Sequence, residues 1–237
     1  MHQQIPSGII KGEVVVLAFE VDPIKESWTD YLGNLPSDEI EKSEEFHYPQ
    51  DKLRFTKCRS ILRNTLSKWS KKDPKKIRIT YGENRKPHLK ENPEIQFNIS
   101  HTEGFAGIAF CKEYEVGIDV ENTTRATDID QVAEKVFTER EQRNISVKDN
   151  LIKKKIFFRH WTAKEAFLKN TGLGLTLDPK KIESNLPTKN KKYGTFECAQ
   201  VKNSSGLRFV DISCPEPYIM TLCASEESLG EINVFPL

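Results

Sequence analysis

Two long stretches with helical periodicity constrain the fold of this chain more than any other feature. Apolar side chains recur at helical spacing from about residue 51 to residue 69, and a second apolar face runs from about residue 149 to residue 170. About three strand-like segments follow each stretch. This order predicts an α/β (α+β) protein of two halves, residues 1–112 and 113–237, each a small, mainly antiparallel sheet packed on a long helix.

Turn and capping signals set the predicted boundaries of these elements. Asp51 is a candidate N-cap for the first helix, and Gly172 and Gly174 stop the second. Residues 82–87 have the composition of a turn. The predicted strands are 13–19, 77–81, 94–99 and 105–111 in the first half, and 115–120, 193–201, 207–213 and 218–225 in the second, which also has a predicted helix at 129–137.

The segment Val116-Gly117-Ile118-Asp119-Val120-Glu121 carries two carboxylates two residues apart. Side chains alternate faces along a strand, so Asp119 and Glu121 share one face. Two anions on one face repel each other, and a hard divalent cation would offset that repulsion. Magnesium takes one or a few protein carboxylates and completes its octahedron with water and phosphate oxygens. Together with Glu165, these acids indicate a magnesium site that holds a phosphorylated ligand.

The second long helix contains a stripe of chemically distinct side chains. Trp161, Glu165 and Lys169 lie four residues apart and therefore on one helix face. An ordinary surface salt bridge is one explanation for Glu165 and Lys169. The otherwise apolar character of that side, with Trp161 one turn away, favours a buried and functional acid.

Ser100 and His101 follow Asn98-Ile99 at the end of a predicted strand. A hydroxyl, an imidazole and free backbone N–H groups at such a position suit contacts to a phosphate or a nucleobase. A hydrolase dyad is excluded because no G-x-S-x-G elbow surrounds the serine and adjacent strand side chains point apart. The chain also lacks a Walker-type loop and a dinucleotide fingerprint.

Composition narrows the class of protein. The balance of 36 basic against 35 acidic residues gives a net charge of +1, too near neutral for a dedicated nucleic-acid binder. No apolar run reaches membrane-spanning length and no secretory signal opens the sequence, so no membrane association and a cytoplasmic location are expected. The five cysteines have no Cys-x-x-Cys pair, which predicts reduced thiols in place of disulfides or a zinc site.

The motifs, taken in order, resemble those of the Sfp-type 4'-phosphopantetheinyl transferases. The matching segments are Asn84-Arg85-Lys86-Pro87, Phe97-Asn98-Ile99-Ser100-His101, Val116 through Glu121, Phe137-Thr138-Glu139-Arg140-Glu141, and Trp161 through Lys169. Five such segments at near-family spacing form a specific signature that covers most of the chain. The resemblance implies two pseudo-symmetric halves in one chain, hence a monomer, with coenzyme A bound in the cleft between them.

The resemblance also implies roles for particular residues. Asp119, Glu121 and Glu165 would hold Mg²⁺ against the pyrophosphate of coenzyme A, with Lys169 facing the same phosphates. The residues that match nucleotide-contacting positions are Lys42, Lys86, Pro87, Ser100 and His101. Two positions depart from the family pattern. Arg85 stands where family members often have glycine, and Glu39 stands at an upstream basic position. One phosphate contact is then either lost or supplied by a neighbour such as Arg54 or Arg63.

The implied reaction is attack by a serine of an apo acyl or peptidyl carrier protein on the phosphorus that bears the pantetheine arm. Adenosine 3',5'-bisphosphate is released, and Glu165 is the candidate proton acceptor. Lys153 to Lys155 are expected to guide the acidic carrier protein. Two alternatives stay open on sequence alone: a magnesium-dependent nucleotide phosphohydrolase, and a non-catalytic module that binds coenzyme A.

Overall fold

The computed structural model of this protein describes residues 5–82, 84–146 and 149–237. Its helices are α1 (Ser37–Glu44), α2 (Pro49–Ser70), α3 (Ile129–Val136), α4 (Glu139–Ser146) and α5 (Asn150–Thr171). Its strands are β1 (Val14–Glu20), β2 (Ile79–Tyr81), β3 (Pro87–Leu89), β4 (Ile95–Thr102), β5 (Phe105–Lys112), β6 (Val116–Asn122), β7 (Glu183–Asn185), β8 (Gly194–Glu197), β9 (Leu207–Ile212), β10 (Tyr218–Ser225) and β11 (Ile232–Pro236).

The ends of the two long helices follow from local chemistry. Helix α2 begins with Pro49, whose missing N–H is harmless in the first turn, and ends at Lys71 in the left-handed conformation. The prediction that Asp51 caps α2 is wrong, because Asp51 lies inside the first turn and pairs with Arg54. Helix α5 is capped by Asp149, which accepts hydrogen bonds from two backbone N–H groups, and it ends at Gly172 as predicted.

The first sheet has the strand order β11-β1-β5-β4 and packs on helix α2. Strands β1, β5 and β4 are antiparallel neighbours. Helix α2 contributes Leu53, Leu62 and Leu66 to a core that also includes Phe97 and Phe110. Each of these side chains is buried, and burial of a leucine or phenylalanine stabilises the fold by about 1.5–3 kcal/mol.

Strand β11 crosses the predicted division after residue 112. It runs parallel to β1, with Ile232 opposite Val14, and so extends the first sheet from the far end of the chain. No strand is predicted from the sequence in this region. The last strand of the chain thus completes the sheet of the first half, so that the first sheet is built from both sides of the predicted boundary. The division into residues 1–112 and 113–237 stays a prediction.

The second sheet has the strand order β6-β10-β9-β8-β7 and packs on helix α5. Its strand pairs are antiparallel. A short hairpin, β2–β3, lies beside the first sheet. The predicted fold class, with a mainly antiparallel sheet on a long helix in each half, is confirmed. Strand β7 and helix α4 were not predicted, since short elements carry little periodic signal.

The two sheets meet where strand β4 lies alongside strand β6, and side chains make this junction. Asn98 Oδ1 accepts a hydrogen bond from Ile118 N at 2.9 Å, and Ser100 Oγ accepts one from Val120 N at 3.2 Å. Thr102 Oγ1 accepts a third from Asn122 N at 3.3 Å. Alternate residues of β4 thus satisfy the alternate N–H groups that β6, an edge strand, would otherwise leave unpaired. This register sets Ser100 beside Asp119.

Two expectations from composition can be compared with the structure. Cys58, Cys111, Cys198, Cys214 and Cys223 are free thiols, as predicted. Within the described ranges, the helices are too short or too polar to cross a bilayer.

Candidate active site

Asp119 is the buried centre of the site on strand β6. Only 5% of its surface is exposed. Its Oδ1 accepts hydrogen bonds from Ser100 Oγ at 2.9 Å and from Lys169 Nζ at 2.7 Å. Lys169 Nζ also donates to Ser100 Oγ at 2.9 Å. Strand β4, strand β6 and helix α5 each contribute one member of this group, so the predicted residues Ser100, Asp119 and Lys169 do come together.

The second oxygen of Asp119 has a different environment. Asp119 Oδ2 is buried and has no hydrogen-bond partner among the described residues. A buried carboxylate oxygen without a donor is costly, and a bound cation would remove that cost. The atom therefore fits a metal-binding role.

Glu121 lies two residues further along β6 and is held from both sides. Trp161 Nε1 donates to Glu121 Oε1 at 2.8 Å, and Arg125 forms an ion pair with Oε2 at 3.1 Å. Burial, followed by the charge of Asp119, raises the pKa of Glu121 above its ordinary value. Arg125, whose guanidinium lies over Trp161, was missed by the sequence analysis because no pattern links a loop arginine to the acid four residues before it.

Glu165 lies on helix α5 in the field of both acids. Burial raises its pKa most, and the charges of Asp119 and Glu121 raise it further, while Lys169 opposes them. The side chains of the predicted stripe Trp161, Glu165 and Lys169 thus have different partners in the structure. Trp161 contacts Glu121 and Lys169 contacts Asp119, so the surface salt bridge between Glu165 and Lys169 does not account for the stripe.

Gly117 explains how α5 comes so close to β6. A Cβ atom at Gly117 would lie 2.1 Å from Ala166 O and 2.5 Å from Asn170 N, both backbone atoms of α5. Asn170 Nδ2 fixes the contact by donating to Glu115 O at 2.8 Å and to Cys223 O at 3.2 Å. Glycine at this position therefore sets the distance between the acids of β6 and the side chains of α5.

The carboxylates do not form a complete protein cage for a metal. Within residues 5–82, 84–146 and 149–237, no group of three or more His, Cys, Asp or Glu side chains has the spacing to hold a metal ion alone. Magnesium sites commonly take a small number of carboxylates and complete the shell with water and ligand phosphates. The donor set here, with its unpaired Asp119 Oδ2, fits that open kind of site.

Two adjoining cavities form a groove that leads away from these acids. One, of about 200 Å³, is lined by Glu165, Lys169 and residues 84–87. The next, of about 210 Å³, is lined by Phe55, Arg59 and His101 among others, and shares Pro87 and Asn98 with the first. The groove therefore has Glu165 and Lys169 at one end and aromatic and basic groups at the other. We call it the nucleotide groove.

Lys86 occupies this region, but its ammonium is engaged within the protein. Lys86 Nζ pairs with Glu115 and donates to Asn170 O at 2.6 Å. Burial lowers the pKa of Lys86, and Glu115 opposes that effect. A direct phosphate contact by Lys86 stays a prediction, and in this structure the ammonium links the hairpin to helix α5.

His101 and Lys42 lie near the far end of the groove. Desolvation by the surrounding protein, then the positive charges of Arg54 and Lys169, lowers the pKa of His101 to about 4, although the residue as a whole is exposed. Lys42 is exposed, with its Nζ 5.9 Å from the centre of the Phe55 ring. Both residues are therefore accessible to a ligand, and their contacts with a nucleotide stay a prediction.

Glu39 and Arg63 form a buried pair. Arg63 Nε lies 2.7 Å from Glu39 Oε2, and Arg63 Nη1 donates to Pro74 O and Ile77 O at 2.8 Å each. The expectation that Arg63 replaces the basic residue missing at position 39 does not fit this geometry, because its donors are already engaged. Arg54 pairs with Asp51 and lines a separate cavity.

Comparison with known proteins identifies the class. The family model described as 4'-phosphopantetheinyl transferase superfamily matches residues 115–223, and the model described as 4'-phosphopantetheinyl transferase, N-terminal, matches residues 20–113. The 4'-phosphopantetheinyl transferase HetI of Nostoc sp. is 32% identical over 170 residues, which are 70% of this chain and 72% of that protein. This chain belongs to the 4'-phosphopantetheinyl transferase family, so the resemblance drawn from its motifs is confirmed.

A second curated relative agrees with this class. The 4'-phosphopantetheinyl transferase Sfp of Bacillus subtilis is 28% identical over 147 residues, 62% of this chain and 64% of that protein. Among solved structures, the holo-(acyl-carrier-protein) synthase of Thermotoga maritima covers 47% of this chain and 62% of its own, with 22% identity and a TM-score of 0.37.

Proposed function

We propose that this protein transfers the 4'-phosphopantetheine arm of coenzyme A to a serine of an apo acyl or peptidyl carrier protein. Family membership supports the reaction class. The observation that carries the proposal is Asp119. One of its oxygens is bound to Lys169, which lines the nucleotide groove, and the other is buried and has no hydrogen-bond partner among the described residues. A cation and a pyrophosphate are the ligands that such an arrangement accommodates.

Asp119 Oδ2, Glu121 and Glu165 are the groups that would hold Mg²⁺. When bound, the ion supplies positive charge that polarises the pyrophosphate and stabilises the leaving phosphate. Glu121 would exchange its contact with Arg125 for the ion, because Arg125 is partly exposed and free to move. Burial, followed by the charge of Asp119, raises the pKa values of Glu121 and Glu165, and a bound cation would offset both causes.

Lys169 neutralises charge on the phosphates. Its side chain is 28% exposed, so its ammonium can remain near Asp119 and also reach a ligand in the nucleotide groove. Ser100 keeps Lys169 and Asp119 aligned through its hydroxyl. In phosphoryl-type transfer most of the acceleration comes from positioning and electrostatic stabilisation, which these fixed groups supply.

Glu165 is the proposed proton acceptor. The serine oxygen of the carrier protein forms a bond to the phosphorus that bears the pantetheine arm, and the bond from that phosphorus to the oxygen of adenosine 3',5'-bisphosphate breaks. The serine proton passes to Glu165, directly or through water. A raised pKa makes this carboxylate a stronger base than an exposed glutamate. A Glu165→Gln variant with normal turnover and normal pH dependence would contradict this role.

The proposed acceptor is an acidic carrier protein docked near the start of helix α5. Lys155 is exposed and Lys154 is half-buried there, whereas Lys153 is engaged with Asp130 at 2.6 Å. The expected trio of lysines is thus reduced to two. Action as a monomer in the cytoplasm, without nucleic acid or membrane, is part of the same proposal.

The test is to incubate the protein with coenzyme A, Mg²⁺ and a panel of apo carrier proteins, and to record the intact mass of each carrier. The expected result is a mass gain of one phosphopantetheine that requires Mg²⁺ and disappears in Asp119→Asn. Coenzyme A consumed without a modified carrier would favour the phosphohydrolase, and binding without turnover would favour the non-catalytic module. Either result would overturn the proposed transfer.

A further inference from the structure

The turn of the hairpin β2–β3 contains a backbone conformation that side chains rarely adopt. Arg85 has a φ angle of 60°, in the left-handed region that favours glycine. Its N–H donates to Gly82 O at 2.9 Å, and Gly82 N donates to Lys86 O at 3.0 Å, so residues 82 and 86 are joined across the turn. A residue other than glycine keeps such a conformation only where the surrounding structure holds it in place.

Lys86 ties this turn to the second half of the chain. Its side chain is 9% exposed and passes close to Gly172, where an added Cβ atom would lie 3.4 Å from Lys86 Cδ. Its Nζ donates to Asn170 O at 2.6 Å and pairs with the carboxylate of Glu115. The hairpin, the link before strand β6 and the end of helix α5 therefore meet at one ammonium group. We call the three residues Lys86, Glu115 and Asn170 the hairpin strap.

Glu115 is the exposed member of the hairpin strap, yet its backbone is fixed. Asn170 is buried, and its Nδ2 donates to Glu115 O at 2.8 Å. Burial lowers the pKa of Lys86, and the charge of Glu115 opposes that effect. Glu115 therefore favours the charged ammonium, which is a stronger donor to Asn170 O than a neutral amine.

The hairpin strap also separates two cavities. Lys86 and Gly172 line the 200 Å³ part of the nucleotide groove, and they also line a further cavity of about 560 Å³ whose wall includes Glu115 and Asn170. Pro87, the residue after Lys86, lines both parts of the nucleotide groove. The position of Lys86 thus decides where the Pro87 wall lies and whether the groove is closed toward the larger cavity.

We infer that Glu115 is a positioning residue for the nucleotide: it holds Lys86 in the hairpin strap and thereby fixes the wall of the nucleotide groove that residues 84–87 form. This inference rests on the proposed function and deepens it. Glu115 is an anion near the proposed place of a polyanionic ligand, so direct charge repulsion alone would make it unfavourable for binding. Action through Lys86 has the opposite sign, because removal of Glu115 would then weaken binding.

The test is calorimetric titration with coenzyme A, in the presence of Mg²⁺, of the wild type, Glu115→Ala, Lys86→Met and the double variant. Glu115→Ala is expected to bind coenzyme A about 3- to 10-fold more weakly, between the ranges for an exposed ion pair and for a charged hydrogen bond. Glu115→Gln keeps an acceptor for Lys86 and is expected to retain part of the affinity. In the Lys86→Met background, Glu115→Ala is expected to have no further effect.

Steady-state kinetics separates positioning from chemistry. Glu115→Ala is expected to raise KM for coenzyme A by a factor similar to the loss of affinity and to leave kcat within about 2-fold of the wild type, because Glu115 acts through Lys86 and touches no reacting group. Glu113→Ala is the matched control. It removes the same charge two residues away, where Glu113 pairs with the exposed Lys11, and is expected to leave the affinity unchanged.

Hydrogen exchange gives a readout that needs no ligand. The backbone N–H groups of strands β2 and β3 are expected to exchange faster in Glu115→Ala and Lys86→Met than in the wild type, with the rest of the chain unchanged. The Glu113→Ala control is expected to exchange like the wild type.

Tighter or unchanged binding of coenzyme A by Glu115→Ala would overturn the inference, as would additive effects of the two substitutions or unaltered exchange in the hairpin. Each of these results, beside a wild type that binds coenzyme A and modifies a carrier protein, would leave the proposed transfer standing. A wild type that binds no coenzyme A would overturn both.

Discussion

Lys169 Nζ lies 2.7 Å from Asp119 Oδ1, across the contact between helix α5 and strand β6. The pair joins residues that lie 50 positions apart in the chain, and Asp119 Oδ2 has no hydrogen-bond partner among the described residues. One oxygen is therefore paired with an ammonium of the protein, and the other is the position that we propose for a cation. Two more carboxylates, Glu121 and Glu165, lie nearby, and burial together with the charge of Asp119 raises their pKa values.

Replacement of Lys169 tests the value of that contact. Lys169→Met is expected to lower kcat/KM for carrier modification by about 100- to 1000-fold, because a fixed positive charge near the pyrophosphate is lost. Lys169→Arg is expected to recover part of the activity. The measurement is initial rate by intact mass, with Lys191→Met as the exposed control. A Lys169→Met enzyme within about 3-fold of the wild type would rule out the assigned role.

Gly117 is expected to tolerate no side chain. In Gly117→Ala the new methyl group would meet the backbone of Ala166 and Asn170, so helix α5 must move away from strand β6. Overpacking of this kind costs about 1–3 kcal/mol, and the shift would separate Asp119 from Lys169. Urea unfolding measures the loss of stability, and the rate of carrier modification measures the effect of separating Asp119 from Lys169. The matched control is Gly206→Ala, where the methyl group meets nothing within 4 Å; equal results for both variants would contradict the close approach.

His160 is expected to make stability depend on pH. It is buried, its Nδ1 lies 2.8 Å from Ser184 Oγ, and burial, then the charges of Lys164 and Arg159, lowers its pKa to about 3. Glu141, with Oε1 at 3.8 Å from Nδ1, is the acid that faces the ring. The unfolded chain takes up the proton below its ordinary pKa of 6.5, whereas the folded protein does not until near 3.

The stabilising contribution of neutral His160 is therefore present above pH 6.5 and is lost as pH falls toward 3. Between pH 7 and pH 5 the loss is about 2 kcal/mol, from 1.36 kcal/mol per pH unit. Urea unfolding at both pH values measures it. Between pH 7 and pH 5 the free energy of unfolding of His160→Gln is expected to fall by about 2 kcal/mol less than that of the wild type. An equal fall in the two proteins would exclude His160 as the source of the pH dependence.

Charge reversal tests carrier docking. The Lys154→Glu, Lys155→Glu variant is expected to raise KM for an acidic carrier protein about 2- to 30-fold, from roughly 0.2–1 kcal/mol for each replaced lysine, with little change in kcat. Added salt is expected to raise the wild-type KM and to narrow the gap between the two proteins, since salt screens exposed charges. Lys191→Glu serves as the matched exposed control. A KM that responds neither to salt nor to the variant would show that these lysines are ordinary surface residues.

Much of the fold was predictable because its signals are local. Helix α2, helix α5 and strands β4, β5, β6 and β10 lie within a few residues of the predicted ranges, since each carries a strong apolar period or a clear stop such as Gly172. Strand β11 was missed because its place depends on parallel pairing with β1 at the other end of the chain. The Asp51 cap was wrong because Pro49 starts α2 one turn earlier than the polar side chain suggested.

The candidate site was likewise predictable only in part. Asp119 and Glu121 on one face of a strand, and Trp161, Glu165 and Lys169 on one face of a helix, followed from the two backbone periods. Tertiary packing alone decided which groups meet: Lys169 with Asp119, Trp161 with Glu121, Arg63 with Glu39, and Lys86 with Glu115. Periodicity specifies the face on which a side chain lies. The partner of that side chain depends on how closely distant elements approach, and Gly117 sets this distance for α5 and β6.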